Sequence, residues 1–255
     1  MAISTFKRYE KKFLINTTQL NELLPLFLTH MDLDEYCKKN ENGKYTIYNI
    51  YYDTPNSDVA RECSNTRSYK EKLRLRSYLP VTDPQDMVFV ELKKKESGVG
   101  NKRRIKIPYQ QAVELIEHGV YPQLAADAYL PNQVAKEIVQ YLQFYPVRPT
   151  VYLQYDRIAL FGKDNPEFRL TIDDNIRARR THFEFGARAD DTLLLTAGTY
   201  ILEVKFLGAM PMWMARKFSE MGLFSRGFSK YGTDYKLHAQ ARTLPYTFQN
   251  ITKEV

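Results

Sequence analysis

The chain has 255 residues, a formal net charge of +7 and a pI near 9.1. Because 44% of the residues are hydrophobic and 13% are aromatic, we expect a globular, β-rich protein with a sizeable core. The positive charge predicts an anionic partner, and composition leaves nucleic acid, a membrane surface and phosphorylated small molecules open. Cys37 and Cys63 have no pair spacing suited to zinc, so neither a structural metal site nor a disulfide framework is supported.

The sequence starts without an apolar signal region, and no run approaches the roughly 20 apolar residues that cross a bilayer. It contains no internal repeat and no linker long enough to separate domains. The expectation is therefore a single cytoplasmic domain over residues 1–255, with no membrane segment in this chain.

A strand and a helix are predicted first. Residues 6–15 alternate in polarity, which is the pattern of a strand. One face of this strand carries Arg8, Glu10 and Lys12. A helix is expected from Thr17 or Thr18, either of which can cap it, to about residue 30.

A tyrosine-rich strand comes next. After a polar loop at 34–44, the segment YTIYNIYYDTP predicts a strand that ends in a turn signal at 53–55. Tyr51 and Tyr52 in this strand are explained equally well by packing and by base stacking. A short connector over 56–67 then brings Arg61 close to the following strand.

The most informative stretch runs from Tyr69 to Lys106 and contains three strand patterns. KEKLRLRSY places four cations on one face, and VFVELKKK alternates in the same way. The third strand, KRRIKI, follows a turn at Gly98 and Gly100. The cations that share a face in the first two strands are Lys70, Lys72, Arg74, Arg76, Lys93 and Lys95.

Helices and further strands alternate in the second half of the chain. PYQQAVELIEHG and PNQVAKEIVQYLQFYP read as helices bounded by proline or glycine. RPTVYLQYDRIALF, EFRLTIDD and TYILEVKF read as strands, and another is expected at 177–185. The Met and Trp stripe of MPMWMARKFSEMGL is interpreted as core contact, and FSKYGTDYKLHAQA closes the fold.

At least five of these strands have one apolar face and one face rich in cations. If the helices cover the apolar face of a closed antiparallel sheet, the charged face lines its interior. Such a basic tunnel must stay hydrated or hold a polyanion, because the burial of many like charges is costly. Partial pairing inside it can come from Glu10, Glu91, Asp173 and Glu203.

The predicted fold class is therefore α+β, with an antiparallel eight-stranded β-barrel and helices packed on the outside. The alternative is an ordinary antiparallel sheet with one hydrated charged face.

The residue types favour phosphate chemistry over base recognition. Arginine makes bidentate contacts to phosphate oxygens, lysine supplies a compact charge, and carboxylates among them suit a Mg²⁺ or Mn²⁺ that bridges protein and phosphates. Those carboxylates disfavour nucleic acid. The sequence has neither GxxxxGK[ST] nor GxGxxG, and its histidines show no metal-ligand spacing. No arrangement for nucleophilic catalysis emerges.

The order of the motifs resembles one family. RYEKKFLI, YYDTP, RLRSY, VELKKK followed by KRR, YDRIALF, FRLTID, ILEVKF and FSKY occur as in the VTC domain family. This family comprises the polyphosphate polymerase domain of the vacuolar transporter chaperone and its bacterial relatives, within the CYTH-like triphosphate tunnel metalloenzymes. The resemblance spans about residues 6–235 and implies an eight-stranded tunnel that binds triphosphate and polyphosphate.

The resemblance and the charged strand faces together give the candidate site. The expected catalytic cations are Lys12, Arg74, Arg76, Lys93 and Lys230. The other expected phosphate-binding residues are Arg8, Arg61, Lys72, Lys102, Arg104, Arg157, Arg169 and Lys205. Glu203 of LEVK, with Glu10 and Glu91, would hold the Mn²⁺ or Mg²⁺ cofactor.

In the polymerase members, the implied reaction moves the γ-phosphate of ATP onto a growing polyphosphate chain. This reaction needs in-line positioning and neutralised charge more than a protein nucleophile. The triphosphatase branch opens with Glu-x-Glu-x-Lys, whereas here the strand reads Arg8-Tyr9-Glu10-Lys11-Lys12. The cation in place of the first carboxylate weakens any two-metal arrangement that activates water.

The expected function is therefore a polyphosphate polymerase whose partners are ATP, triphosphate and inorganic polyphosphate. Two alternatives remain open: a triphosphatase or polyphosphate hydrolase, and a non-catalytic polyphosphate-binding module.

Overall fold

The computed structural model describes residues 8–64, 69–96, 99–186 and 188–243. These residues contain ten strands and seven helices. The strands are β1 (Arg8–Asn16), β2 (Met31–Leu33), β3 (Tyr45–Asp53), β4 (Tyr69–Ser77), β5 (Met87–Glu96), β6 (Val99–Pro108), β7 (Arg148–Gly162), β8 (Arg169–Arg179), β9 (Thr192–Leu193) and β10 (Thr199–Leu207). The helices are α1 (Thr17–His30), α2 (Glu35–Lys38), α3 (Asp58–Ser64), α4 (Tyr109–His118), α5 (Tyr129–Phe144), α6 (Met212–Glu220) and α7 (Lys230–Thr243).

The strands form one sheet in the order β1-β10-β8-β7-β3-β4-β5-β6, with β2 also paired to β7 and β9 to β8. The pairs β1–β10, β10–β8, β2–β7, β3–β4, β4–β5 and β5–β6 are all antiparallel. The predicted antiparallel sheet with helices is therefore confirmed. In the described part of the chain, none of the helices is long and apolar enough to span a membrane.

The prediction of a closed barrel is wrong, because β1 and β6 stand at the two ends of the strand order among the described residues. Alternation along a strand reports which side chains share a face, but it carries no information on whether the end strands pair. Closure was inferred because several strands have one apolar and one cation-rich face and the helices need an apolar face to cover, and a tunnel of this kind would bury many like charges at a cost. In the structure that cost is met on the face itself, where buried carboxylates pair with the cations.

The described chain divides into two compact units. Unit 1 comprises Met1–Ile47, Gln154–Arg177 and Leu195–Phe228, and unit 2 comprises Tyr48–Leu153, Ala178–Leu194 and Ser229–Val255. Each unit has its own hydrophobic core. The prediction of a single domain over 1–255 stays a prediction.

In unit 1, helices α1 and α6 cover the apolar face of β1, β8 and β10. The N-cap of α1 is Asn16 rather than Thr17 or Thr18, since its side chain accepts from the Gln19 amide at 2.9 Å and the Gln19 side chain accepts from the Asn16 amide at 3.0 Å. The Met and Trp stripe of α6 is a core contact as predicted: Met214 is fully buried and the Trp213 ring contacts Phe27.

In unit 2, helices α4 and α5 cover the apolar face of β4, β5 and β6. Hydrophobic burial at these alternate positions stabilises the sheet and leaves the opposite face to charged side chains. The α4 helix ends at Gly119, whose φ of 68° is the left-handed conformation that favours glycine. The core residues that the strands contribute are Leu73, Leu75, Val88, Val90, Leu92, Ile105 and Ile107.

The prediction of a separate strand at 177–185 is wrong, because residues 177–179 continue β8, which ends at Arg179. The Arg179 guanidinium donates to the carbonyl oxygens of His182 at 2.6 Å, Gly186 at 2.9 Å and Glu184. It also pairs with Asp191 at 2.7 Å, and both side chains are only 1% exposed. This buried cation folds the following residues into a turn, which the local sequence pattern could not show.

Replacing Asp191 by alanine should destabilise the protein by about 3–5 kcal/mol, because it leaves a buried guanidinium without its charged partner. Urea denaturation followed by circular dichroism measures the change in the free energy of unfolding. Asp190→Ala is the matched control: Asp190 is exposed and pairs with Arg188 at 3.3 Å, so its loss should cost less than about 1 kcal/mol. Equal effects of the two substitutions would contradict the importance of the buried pair.

Candidate anion-binding site

Each unit presents one charged face, on the side of its strands that the helices leave uncovered. We call the charged side of β1, β7, β8 and β10 the first charged face, and the charged side of β3–β6 the second charged face. Cross-strand pairing sets which side chains are neighbours on each face, since opposite residues in antiparallel strands lie close together.

Glu91 is the centre of the second charged face. Strand register places it between Arg74 of β4 and Arg104 of β6. Its carboxylate is fully buried and lies 2.6 Å from the Arg74 NH2, 2.7 Å from the Lys102 Nζ, 3.8 Å from the Arg76 Nε and 3.9 Å from the Arg104 NH1. Burial alone would raise the pKa of Glu91, but the neighbouring cations outweigh it and hold the pKa well below its usual range.

Tyr51 and Asn49 of β3 fix the two arginines. The Arg74 NH1 donates to the Tyr51 hydroxyl oxygen at 2.9 Å, and the Arg76 Nε donates to Asn49 Oδ1 at 2.9 Å. Asn49 is fully buried and donates in turn to the carbonyl oxygen of Leu153 at 3.0 Å. Each guanidinium is therefore oriented by a carboxylate on one side and by β3 on the other.

Besides Glu91, two further groups on this face have a shifted pKa. Burial would raise the pKa of Tyr51, but the charges of Arg74, Arg76 and Lys72 lower it to about 8. Burial, which the charge of Glu91 only partly offsets, lowers the pKa of Lys102 to about 8. Above pH 8 the face therefore gains a negative charge and loses a positive one, so its attraction for anions falls as pH rises.

On the first charged face, two carboxylates and two lysines alternate across β1 and β10. Register pairs Lys12 with Glu203 and Glu10 with Lys205. The Lys12 Nζ lies 3.2 Å from Glu10 Oε1 and 3.3 Å from Glu203 Oε2, while the Lys205 Nζ lies 2.5 Å from Glu203 Oε1. Burial opposes ionisation of Glu203, yet Lys205 and Lys12 hold its pKa well below its usual range.

Arg157 and Arg169 complete this face. Arg157 binds the fully buried Asp173 in bidentate fashion, with Nε–Oδ1 at 2.6 Å and NH2–Oδ2 at 2.8 Å. Arg169 lies opposite Lys205 in the sheet and its guanidinium is 5.2 Å from the centre of the Phe161 ring. Asp173 was predicted to give partial pairing inside a closed tunnel; it does pair with a cation, Arg157, but on the charged face of a sheet that is not closed among the described residues.

The predicted site residues therefore fall into two groups. Arg61 lies exposed on α3 and pairs with Asp58 of the same helix. The side chain of Arg8 and the turn residue Gly98 lie outside the described residues. The first charged face holds Glu10, Lys12, Arg157, Arg169, Glu203 and Lys205. Unit 2 holds Arg61, Lys72, Arg74, Arg76, Glu91, Lys93, Lys102, Arg104 and Lys230.

Sequence analysis missed the part that Asn49 and Tyr51 play. Tyr51 was explained by packing or base stacking, and Asn49 was not singled out. Their positions opposite Arg76 and Arg74 follow from the β3–β4 register, which cannot be read from either strand alone. The available signal was their spacing of two residues in YNIYY, which places both on the charged side of β3.

Carboxylate oxygens are suitable ligands for Mg²⁺ or Mn²⁺. Among the described residues, however, no three His, Cys, Asp or Glu side chains form a group that could hold a metal ion. Glu10 of β1 and Glu203 of β10 are two carboxylates on adjacent strands, and both contact Lys12. A divalent cation there would also need phosphate or water oxygens, which is the usual way in which Mg²⁺ is held beside phosphates.

The fold and the site define an α+β protein with cation-rich faces suited to a multiply charged anion. The VTC domain model matches residues 7–238, and the chain belongs to this family. The resemblance to the VTC domain family inferred from the ordered motifs is therefore confirmed. No curated protein matches the chain.

Two solved structures are similar over most of their length. A candidate adenylate cyclase from Bacillus halodurans has 14% identity and a TM-score of 0.44, with 86% of this chain and 92% of that chain covered. Protein PH1819 from Pyrococcus horikoshii has 12% identity and a TM-score of 0.38, with 85% and 86% covered. These values are too low to argue function, so family membership rests on the VTC domain match.

Tyr51 should ionise at about pH 8, the value to which its neighbouring cations lower its pKa. Ultraviolet difference titration should show one tyrosine ionising near this pH in the wild type and none there in Tyr51→Phe. Tyr52→Phe is the matched control, because Tyr52 is the next residue on the opposite, apolar side and burial raises its pKa. If the step near pH 8 survives in Tyr51→Phe, the assignment is wrong.

Proposed function

We propose that this chain is a divalent-metal-dependent polyphosphate polymerase that moves the γ-phosphate of ATP onto a growing polyphosphate chain. The observation that carries the proposal is the second charged face, where Glu91 holds Arg74, Arg76, Lys102 and Arg104 in one cluster. Family membership supports the same substrate class.

The second charged face has the properties that phosphate binding needs. Arg74 and Arg76 are each oriented by β3, so little conformational entropy remains to be lost when a phosphate oxygen binds. Lys93 and Lys102 are opposite each other in the β5–β6 pair, and their mutual repulsion is relieved by an anion. A chain of phosphates can contact several of these cations at once.

The first charged face is suited to the metal. Glu203 and Glu10 would hold Mn²⁺ or Mg²⁺, which when bound would neutralise charge on the phosphates. Lys12 and Lys205 contact the same carboxylates and would neutralise further phosphate charge. Phosphoryl transfer depends on positioning and charge neutralisation, and the first charged face supplies groups for charge neutralisation.

Polymerisation is favoured over hydrolysis by the strand β1. Arg8 occupies the position where the triphosphatase branch has a carboxylate, which leaves Glu10 and Glu203 as the acidic pair on β1 and β10. Fewer acidic ligands weaken a second metal site that would activate water. Incubation of the protein with ATP and Mn²⁺, followed by gel staining for polyphosphate, tests the proposal. Release of free phosphate alone would favour the hydrolase, and binding without turnover would favour the non-catalytic module.

Glu203→Gln should lower ATP-dependent polyphosphate formation by at least about tenfold. Mutation of residues that only hydrogen-bond to a metal ligand already lowers metal affinity or activity by about this factor. Triphosphate binding should persist, because the substitution removes a repulsive charge and leaves the cations. Polymerase assays at limiting Mn²⁺ and calorimetry with triphosphate measure the two effects. Glu137→Gln is the control: Glu137 lies on α5 and pairs with Arg103 on the side covered by helices. Normal polymerisation by Glu203→Gln would contradict the metal assignment.

Triphosphate should raise the melting temperature more than monophosphate at equal concentration, because it contacts more cations, and added salt should reduce the difference.

Arg74→Ala should weaken triphosphate binding by about 1.5–3 kcal/mol, the range for a hydrogen bond to a charged group. Arg103→Ala removes an arginine of β6 that points to α5 instead and should leave binding unchanged. Thermal shift and titration calorimetry provide both measurements, and equal stabilisation by the two phosphates would count against the site.

A further inference from the structure

Asp53, at the end of β3, is a buried charged group that the proposed mechanism does not use. Its carboxylate is fully buried. Oδ1 accepts from the backbone amides of Thr54 at 2.7 Å and Val59 at 2.9 Å, and Oδ2 accepts from the amide of Ala60 at 3.0 Å. The Tyr231 hydroxyl also donates to Oδ2. Asp53 therefore ties the end of β3 to the first turns of both α3 and α7.

The α3 side of this arrangement is ordinary helix capping. A carboxylate that accepts from backbone amides at a helix start is stabilised by those donors and by the helix dipole. The Thr54 hydroxyl adds to it by accepting from the Asp58 amide at 3.0 Å. Three amides already satisfy Asp53 as a cap, so the additional bond from Tyr231 is not needed to hold α3.

The first turn of α7 contacts the second charged face. The Tyr231 ring stacks on the Tyr51 ring, with centroids 5.0 Å apart and planes 5° from parallel. Tyr51 in turn accepts the hydrogen bond from Arg74. The start of α7 is thus linked to Arg74 through the Tyr51 ring.

Lys72 also depends on α7. Its Nζ donates to the Ser229 hydroxyl at 3.3 Å and lies 5.8 Å from the centre of the Tyr231 ring. Ser229 precedes α7 and accepts from the Gly232 amide at 3.2 Å, as a helix cap does. The position of this lysine on the charged face is therefore linked to the position of the helix start.

We propose that Asp53 and Tyr231 are positioning residues for phosphate binding. Their hydrogen bond fixes the first turn of α7, so that Ser229 and the Tyr231 ring hold Lys72, and the stacked Tyr51 holds Arg74. This inference rests on the proposed function, because it concerns the same phosphate-binding face. Both residues are proposed to act through Lys72 and Arg74.

The test uses the affinity of the full chain for inorganic triphosphate, measured by titration calorimetry. Tyr231→Phe keeps the ring and its stacking but removes the donor to Asp53, and it should weaken triphosphate binding by about tenfold, equivalent to 1.4 kcal/mol. Tyr141→Phe is the matched control. Tyr141 lies in the same unit, and its buried hydroxyl has no hydrogen-bond partner among the described residues, so its removal should leave the affinity unchanged.

A double-mutant cycle separates positioning from general stability. If Tyr231 acts in part through Lys72, Tyr231→Phe combined with Lys72→Ala should lose less affinity for triphosphate than the sum of the losses of the two single variants. Additive losses, or a Tyr231→Phe variant that binds like the wild type, would overturn the inference. The cycle does not require Asp53→Asn, whose buried cap could be needed for folding.

The outcomes also separate this inference from the proposed function. A wild-type protein with no affinity for triphosphate overturns the function and the inference together. A wild-type protein that binds triphosphate, with a Tyr231→Phe variant of equal affinity, overturns only the positioning role and leaves the proposed function standing.

Discussion

The pairing of buried carboxylates with arginine and lysine is the interaction on which both charged faces depend. Lys72, Lys93 and Lys102 are consecutive cross-strand neighbours on β4, β5 and β6, an arrangement that repels itself in the absence of anions. Glu91 relieves this repulsion from the centre of the same face, where it is in contact with both neighbouring strands. On the first charged face Glu203 and Asp173 have the same effect.

These pairs also explain why the sheet is stable without closure. A cationic face that lacked carboxylates would need water or a polyanion around every charge, whereas here the most buried arginines are already paired. The apolar faces are covered independently by α1 and α6 in unit 1 and by α4 and α5 in unit 2. The charged side of the sheet is thus stabilised by ion pairs, and the apolar side by the helices packed on it.

The same pairing sets what kind of ligand can bind. A phosphate that approaches Arg74 or Lys12 competes with a carboxylate already at 2.6–3.3 Å, so a single phosphate gains little. A ligand with several linked phosphates can contact several cations, whereas the translational entropy of binding is lost only once. Under the proposed function, the carboxylates would therefore favour multiply charged chains while keeping the cations in place. The start of α7 contacts Lys72 and Tyr51 of the second charged face.

The sequence by itself determined the longer strands, their two faces and the family, but it did not reveal the short strands β2 and β9. Period-2 alternation placed Arg74, Arg76 and Glu91 on charged faces because each strand position dictates its side, and the ordered motifs were specific enough to identify a VTC domain. Local pattern also gave α1 and α6 nearly to their ends. Their packing was predictable because an apolar stripe must be buried somewhere.

Only the tertiary structure decided which side chains bind each other across neighbouring strands and between segments that are distant in the sequence. Asn49 orients Arg76 and Tyr231 reaches Asp53 over 178 residues, and neither contact leaves a local trace in the sequence. Arg179 ends β8 by binding carbonyl groups of the residues that follow it. The open strand order was likewise invisible, because alternation fixes the side on which a residue lies and not the strand that lies beside it.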